Sequence, residues 1–229
     1  MKNSTRSFDQ LSLVTTIAIG LCTLFWSLSI NAQGQHFNPK GKQPSEFTRE
    51  IQAQLRQSLP FEDQRDFEES RRGFIAEPDY RQILGAQGNI VWDMTRYDFL
   101  LDGNDYDSIH PSLQRQATLN MNYGLYEVVP GFLYQVRGFD VSNLTLVRGD
   151  TGWILFDVLL ASETAEAALA LANQHLGELP VKAVVYSHSH IDHFGGVRGV
   201  INAEDVRNGD VQVYAPSGFM DEAIAENVY

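Results

Sequence analysis

In this 229-residue chain an apolar run at residues 183–186, Ala-Val-Val-Tyr, leads directly into a group of histidines. A continuous apolar run lacks the alternation of a strand with one wet face, so it predicts a strand buried on both faces. Such strands belong to layered α/β domains, in which helices cover a sheet. We therefore expect an α/β fold, with the histidines at the carboxyl end of an inner strand.

The residues around this run alternate between strand and helix patterns, as an α/β sheet requires. Residues 153–156 form a second apolar run that ends at Asp157. A helix pattern then begins near Ser162, which can cap it, and stops at Gly177. Further elements are expected as strands at residues 126–136 (broken by Pro130 and Gly131), 144–147 and 212–215, and as a helix at residues 217–229.

The histidine group follows residue 186 as Ser-His-Ser-His-Ile-Asp-His-Phe-Gly-Gly and holds three of the six histidines of the chain. Imidazole and carboxylate are ligands that suit zinc. His188 and His190 can converge on one ion, whereas Asp192 and His193 would face the other way and serve a second ion. The carboxyl end of a strand is also where open α/β sheets usually bind ligands. Isolated histidines are instead expected to be surface residues without function: His36, His110 and His175.

Two counts exclude other kinds of function. The chain has 17 Lys and Arg against 29 Asp and Glu, a formal net charge of −12 at pH 7, and such a surface repels the phosphates of nucleic acids. It has one cysteine, Cys22, so it can form neither an intramolecular disulfide nor a cysteine-based zinc site. We therefore expect no nucleic-acid partner, and any zinc ion would be held by histidine and carboxylate.

Residues 1–32 are expected to be a secretory signal. Lys2 and Arg6 precede an uncharged apolar run at residues 11–30, and residues 30–32 resemble a small-residue cleavage site. A retained membrane anchor is the alternative, because about twenty apolar residues can span a bilayer, but hydroxyl side chains dilute this run. Cleavage would place the protein in the periplasm or outside the cell, without a stable membrane anchor.

The rest of the chain divides into three parts by composition. Residues 33–48, rich in Gln, Gly, Pro and Lys, are predicted to be a linker. Residues 49–124 form a helical and irregular segment, in which the charged stretch to residue 72 is predicted to be one solvated helix docked by a few aromatic side chains. Residues 125–229 hold the strand and helix patterns described above and would form part of a catalytic domain.

The histidine group also carries a resemblance to a known family. Residues 188–193 match H-x-H-x-D-H, the metal signature of the metallo-β-lactamase superfamily. The stretches around it are similar to one branch of that superfamily, the zinc-dependent alkyl sulfatases, which hydrolyse detergents such as dodecyl sulfate. These stretches are residues 134–140, 148–153, 184–190 and 226–229.

The resemblance implies a fold, a cofactor and an activity. The fold would be a metallo-β-lactamase-type αββα sandwich, of which this chain would hold the N-terminal part. His188 and His190 would bind one Zn²⁺ and Asp192 and His193 a second, giving two per complete catalytic domain, with Asp192 also in the catalytic set. The activity would be hydrolysis of alkyl sulfate esters to an alcohol and inorganic sulfate through a metal-bound hydroxide. The full-length protein would be a secreted or periplasmic homodimer.

Several assignments stay open from the sequence alone. Another hydrolase of the same fold, acting on a lactone, thioester or β-lactam, is one alternative function, and a degenerate metal-binding module without activity is another. Asp157 could orient a ligand histidine or cap the helix that begins near Ser162. No histidine follows His193, so the remaining ligands of both ions would lie downstream, and the chain alone is expected to be inactive.

Overall fold

The structure is a computed structural model that describes residues 43–228, and its secondary structure is mixed α/β, as predicted. The predicted signal segment, residues 1–32, lies outside the described residues, as does most of the predicted linker. Within the described residues, none of the helices is both long enough and apolar enough to cross a membrane.

The chain divides into two units between Glu50 and Ile51. The described part of the first unit is residues 43–50, which contains the beginning of a helix. The Ser45 hydroxyl accepts a hydrogen bond from the Thr48 backbone N–H at 3.1 Å, so it satisfies one of the free donors at this helix start.

Helices and strands alternate along most of the described chain. The helices are α1 (Glu46–Ser58), α2 (Arg65–Ser70), α3 (Pro111–Leu119), α4 (Ser162–Leu176), α5 (Ile191–Phe194), α6 (Ala203–Asn208) and α7 (Phe219–Val228), with 3₁₀ helices at Asp98–Leu101 and Gly195–Gly199. The strands are β1 (Phe74–Ala76), β2 (Gln82–Leu84), β3 (Ile90–Asp93), β4 (Gly124–Val129), β5 (Leu133–Arg137), β6 (Leu144–Arg148), β7 (Trp153–Phe156), β8 (Val181–Val185) and β9 (Gln212–Tyr214).

Seven of these strands form one sheet in the order β1-β4-β5-β6-β7-β8-β9, and β2 and β3 form a separate antiparallel pair. Neighbours from β1 to β7 are antiparallel, whereas β7, β8 and β9 are parallel. Parallel neighbours need crossover connections, and α4 supplies the one between β7 and β8. Among the described residues this is the single large sheet, so they contain one of the two sheets of the expected sandwich.

The strand directions bring three loops to one edge of the sheet. β5 and β7 point the same way because two antiparallel pairings separate them, and β8 is parallel to β7. The loops that follow these strands begin at Gly138, Asp157 and Tyr186. The histidine group therefore shares its edge with two other loops that are far away in sequence.

Helix α4 covers one face of this sheet. Its core side chains are small, among them Ala165, Ala168 and Ala172, which are fully buried and let the helix approach the strands closely. Trp153 on β7 is also fully buried, and its Nε1 donates a hydrogen bond to Asn173 Oδ1 on α4 at 2.8 Å. Burying a large apolar side chain contributes about 1.5–3 kcal/mol, so this contact fixes the place of β7 beneath the helix.

The burial of β8 differs from the prediction. Val184 is fully buried, but Ala183 and Val185, which point to the opposite face of the sheet, are only half-buried. The prediction of a strand buried on both faces is therefore wrong for this second face, which the described residues cover only in part.

Two predictions about helix ends met different outcomes. Helix α4 ends at Gly177, which has a φ of 90°, as the sequence predicted. Its N-cap residue, however, is Ala161, which makes no side-chain cap hydrogen bond, and Ser162 is already the first helical residue. The predicted capping role of Ser162 is therefore wrong.

Residues 49–124 hold more regular structure than the sequence predicted. The charged stretch forms two helices, α1 and α2, because Pro60 between them lacks the N–H that a continuing helix needs. The part predicted to be irregular contains β1, β2, β3 and α3, whose strands have only three or four residues and show no clear period. His110 is not an idle surface residue, because its Nδ1 accepts a hydrogen bond from the Ser112 N–H and caps α3.

Candidate metal centre

The histidine group lies where β8 ends. The Tyr186 N–H still donates to Tyr214 O of β9 at 2.9 Å, and the chain then leaves the sheet. It turns through residues 187–190 and enters α5, with His190 as the N-cap residue. His188 and His190 thus lie in the turn, whereas the other two predicted ligands lie on the short helix.

All four predicted site residues come together at this turn. The ring centroids of His188 and His193 are 4.0 Å apart, and those of His188 and His190 are 4.6 Å apart. His193 Nε2 lies 3.3 Å from Asp192 Oδ2. The His188 ring is thus closer to the His193 ring than to the His190 ring, and the four side chains form one cluster.

The distance between Asp192 Oδ2 and His193 Nε2 suits two ligands of one zinc ion. Zn–N and Zn–O bonds of about 2.0–2.2 Å at a tetrahedral angle hold their ligand atoms about 3.4 Å apart, close to the 3.3 Å found here. Within residues 43–228, however, no three His, Cys, Asp or Glu side chains are placed to hold an ion between them. The donors therefore fit zinc in type and in one spacing, but the set is partial.

Asp157, directly after β7, connects that strand to the histidine turn. Its Oδ1 accepts a hydrogen bond from the Ser187 N–H and its Oδ2 accepts one from the Ser187 hydroxyl, both at 2.8 Å. The same Oδ2 lies 2.9 Å from His193 Nδ1, although not in hydrogen-bonding direction, and this buried nitrogen has no hydrogen-bond partner among the described residues. Asp157 was predicted either to orient a ligand histidine or to cap the helix that begins near Ser162. Its contacts with the histidine turn agree with the first of these roles.

Ser187 links Asp157 to His188, which the sequence analysis did not anticipate. Because Ser187 gives its hydroxyl proton to Asp157, it can only accept in its 2.9 Å contact with His188 Nδ1. The proton of His188 is then on Nδ1 and the lone pair on Nε2, the nitrogen left free to bind a metal. The signal in the sequence is a hydroxyl residue directly before the first histidine, but its partner Asp157 is thirty residues away.

A second carboxylate near the histidines was also missed. Glu226 on α7 places its Oε1 3.7 Å from His190 Nε2, and its Oε2 accepts a hydrogen bond from the Ser189 hydroxyl at 3.0 Å. Residue 226 lies in one of the stretches that carry the family resemblance, but no local pattern places it beside the histidines, because it reaches the turn only through the fold of β9 and α7.

Three aromatic side chains next to the histidine turn pack against one another. Tyr186 stacks on Phe219 with their centroids 5.3 Å apart, and Phe194 packs against both rings at 6.0 and 5.2 Å. Burial raises the pKa of the Tyr186 hydroxyl, so it stays neutral. The rings come from the end of β8, from α5 and from the beginning of α7, so all three elements position the histidines.

Glycines let the helical part of the loop lie directly on the backbone that follows β7. A Cβ atom on Gly196 would be 2.1 Å from Val158 O, and one on Gly199 would be 2.0 Å from Ser162 O. The Val158 N–H donates to His193 O at 2.9 Å, which ties the backbone of this histidine to the same segment. Leu159 within the segment has a φ of 64°, a conformation that costs a non-glycine residue about 1–2 kcal/mol.

A cavity of about 640 Å³ borders the loop that follows β5. Its lining includes Trp92, Tyr123 and Arg137, and none of the four predicted ligands. The Arg137 guanidinium lies 4.2 Å from the Tyr126 ring centroid, and burial lowers its pKa. The cavity is therefore distinct from the place where the histidines meet.

Comparison with known proteins connects this geometry to a family. Residues 137–229 match the metallo-beta-lactamase superfamily. An (R)-specific secondary-alkylsulfatase from a Pseudomonas species is 51% identical over 187 residues, which cover 82% of this chain and 28% of that protein. A linear primary-alkylsulfatase, also from a Pseudomonas species, is 44% identical over 202 residues, which cover 87% of this chain and 30% of that protein.

A solved structure supports the same relationship. The stereoselective inverting sec-alkylsulfatase Pisa1 from a Pseudomonas species matches with a TM-score of 0.77 and 52% identity, over 82% of this chain and 29% of that one. The chain spans less than a third of the length of these relatives. The resemblance predicted from the sequence is thus confirmed: residues 137–229 match the metallo-beta-lactamase superfamily, and the chain is homologous to alkylsulfatases.

Proposed function

We propose that this chain supplies part of the active site of an exported, zinc-dependent alkyl sulfatase. The reaction would convert an alkyl sulfate and one water molecule into an alcohol and hydrogen sulfate. The observation that carries the proposal is that four side chains able to bind zinc meet at one turn of a chain homologous to alkylsulfatases: His188, His190, Asp192 and His193. In addition, Asp192 Oδ2 and His193 Nε2 are 3.3 Å apart, a distance that suits two ligands of one zinc ion. Zinc, when bound, would offset the charge of the sulfate and lower the pKa of a water molecule toward neutrality.

We assign His188 and His190 to one ion and Asp192 and His193 to the other. Asp192 is the anionic member of this set, so its side chain supplies charge as well as a donor atom. A catalytic zinc site has three protein ligands and an open position. The remaining ligands of each ion would therefore come from a part of the protein that residues 43–228 do not include.

The residues around the ligands would hold them in the binding orientation. Asp157 and Ser187 keep the proton of His188 on Nδ1, so Nε2 is ready for a metal. The same carboxylate lies beside His193 Nδ1, which leaves Nε2 of that ring on the side of Asp192. Such outer partners commonly fix the tautomer and ring orientation of metal-binding histidines.

The alkyl group of the substrate has two candidate classes. Linear primary sulfates such as dodecyl sulfate agree with the relative named a linear primary-alkylsulfatase, which is 44% identical. Secondary sulfates agree with the relative named an (R)-specific secondary-alkylsulfatase, which is 51% identical. We therefore propose an alkyl sulfate ester as the substrate, and parallel assays with a primary and a secondary ester distinguish the two classes.

The experiment compares His190→Ala with His175→Ala in the protein that contains this chain. His175 is exposed on the last turn of α4, away from the turn, and is the matched control. We expect His190→Ala to lose more than about 100-fold in sulfate release, since even losses outside the ligand set cost about 10–100-fold, and His175→Ala to stay within about threefold. Dodecyl sulfate, octan-2-yl sulfate and nitrocefin are assayed in parallel, and bound zinc is measured by elemental analysis.

Several results would contradict the proposal. Full activity of His190→Ala would mean that the histidine turn is not the catalytic metal site. Turnover of nitrocefin without sulfate release would favour a different ester or amide as substrate. Iron in place of zinc in the purified protein would overturn the choice of metal.

A further inference from the structure

Asp140 is a buried carboxylate that the proposed chemistry does not use. It lies in the loop after β5, is 7% exposed and accepts three hydrogen bonds. The Ser142 N–H donates to its Oδ1 at 3.1 Å, and the Leu160 N–H and the Thr164 hydroxyl donate to its Oδ2 at 2.8 and 2.7 Å. Both oxygens are thus engaged by protein donors.

These three hydrogen bonds connect separate elements at the sheet edge that carries the histidines. Ser142 belongs to the loop after β5, Leu160 to the segment after β7, and Thr164 to the first turn of α4. The segment after β7 is the one on which the glycines of the histidine loop rest. Asp140 therefore ties the loop after β5 to this segment and to the start of α4.

A second contact carries the connection to the proposed ligands. The Ser142 hydroxyl donates a hydrogen bond to the backbone oxygen of Asp192. Asp140 holds the Ser142 backbone, and Ser142 in turn holds the backbone of Asp192, on the first turn of α5. The path from Asp140 to a proposed zinc ligand is thus two hydrogen bonds long.

We propose that Asp140 and Ser142 are positioning residues that hold Asp192 and His193 in the geometry needed to bind metal. The inference rests on the proposed metal site. Position 140 needs two acceptor oxygens because a backbone N–H donates to each of them, from Ser142 to Oδ1 and from Leu160 to Oδ2. An amide would turn its NH₂ toward at least one backbone N–H, and the loop at that contact would lose its anchor.

The test measures zinc affinity in the protein that contains this chain, by competition with a chromophoric chelator. The variants are Asp140→Asn and Ser142→Ala, and the matched control is Asp150→Asn, an exposed carboxylate in the turn between β6 and β7 at the opposite edge of the sheet. We expect zinc affinity to fall about 10–100-fold for Asp140→Asn, as for other partners that orient metal ligands. Ser142→Ala removes one hydroxyl and should weaken zinc binding about threefold to tenfold, and the control should stay within about twofold.

Thermal unfolding of the metal-free proteins separates positioning from a structural role. If Asp140→Asn and Ser142→Ala unfold at lower temperatures but bind zinc as tightly as the wild type, the inference is overturned. If Asp140→Asn does not fold, Ser142→Ala decides, because it deletes only the contact with Asp192. Absence of zinc binding by the wild type would overturn the proposed function and the inference with it, whereas normal wild-type binding with unaffected variants would overturn the inference alone.

Discussion

Ser187 is the single residue whose substitution tests the site most directly without touching a proposed ligand. Ser187→Ala leaves His188 without the acceptor that holds its proton on Nδ1, so the ring can take either tautomer and rotate. We expect zinc affinity and sulfate release to fall about 10–100-fold, while the free energy of unfolding changes by less than about 1 kcal/mol, because the side chain is exposed. Chelator competition, steady-state kinetics and denaturant titration measure the three quantities.

The matched control for this change is Ser108→Ala, in an exposed loop before α3. It removes the same hydroxyl group far from the histidines and should alter none of the three quantities. Equal zinc affinities of Ser187→Ala and the wild type would show that the contact between Ser187 and His188 does not position the ring.

At this scale the sequence could name candidate residues for the site but not their contacts. Three histidines and an aspartate within six residues form a local pattern, so they could be singled out without knowledge of the fold. Which nitrogen of His188 is free depends on Asp157, and the neighbour of His190 is Glu226 on α7. These pairs are distant in sequence, and no periodicity links their members.

Among the elements, the packing of the histidine loop on the segment after β7 depends most on glycine. Gly196→Ala would place a Cβ atom 2.1 Å from Val158 O and 2.9 Å from Ala165 Cβ, and neither neighbour is a flexible side chain that can move aside. We expect a loss of at least about 2 kcal/mol in the free energy of unfolding, since overpacking a core typically costs about 1–3 kcal/mol. Denaturant titration of the metal-free protein measures it.

Gly88→Ala is the control for this substitution. A Cβ atom there meets nothing within 4 Å, so the change carries only the cost of its φ of 78°, about 1–2 kcal/mol. If Gly196→Ala destabilised the protein no more than Gly88→Ala, the close approach of the two backbone segments would not be a constraint on the fold.

The strength of the local signal decided which elements the sequence could predict. β7, α4 and β8 have apolar runs or helical periodicity with clear stop residues, and their order was predicted correctly. β1 has three residues and pairs with β4, about fifty residues later, so its strand state comes from a distant partner. β8 has the composition of a fully buried strand, yet Ala183 and Val185 are only half-buried in the described residues.

For the molecule as a whole, the sequence predicts export through residues 1–32. We expect protein recovered from the periplasmic fraction to begin near Gln33, because a charged start and an apolar run precede a small-residue site. Amino-terminal sequencing checks this, and Leu24→Arg, which places a charge in the apolar run, is expected to block export. An intact Met1 on the periplasmic protein would instead support a retained anchor.

The surface of the last two elements gives a further expectation for the molecule. Val213 and Tyr214 on β9 and Met220, Ile224 and Val228 on α7 are exposed apolar side chains. Among residues 43–228, β9 pairs only with β8 and is the last strand of the sheet, so its other edge has no strand partner there. Apolar side chains beside an open strand edge favour association between chains.

Residues 33–229 expressed alone should therefore self-associate and be inactive. The described residues offer no set of three metal ligands, and an incomplete site binds zinc too loosely to fix a nucleophile. With excess zinc, we expect sulfate release from dodecyl sulfate to be at least about 1,000-fold below that of the complete protein, since a fully held zinc ion would lower the pKa of a water molecule and offset the sulfate charge. Size-exclusion chromatography should show species larger than a monomer, and Val213→Lys with Met220→Lys should shift them toward the monomer. Turnover within about tenfold of the complete protein would show that the histidine turn and its neighbours suffice for the reaction, and would contradict the assignment of further ligands outside residues 43–228.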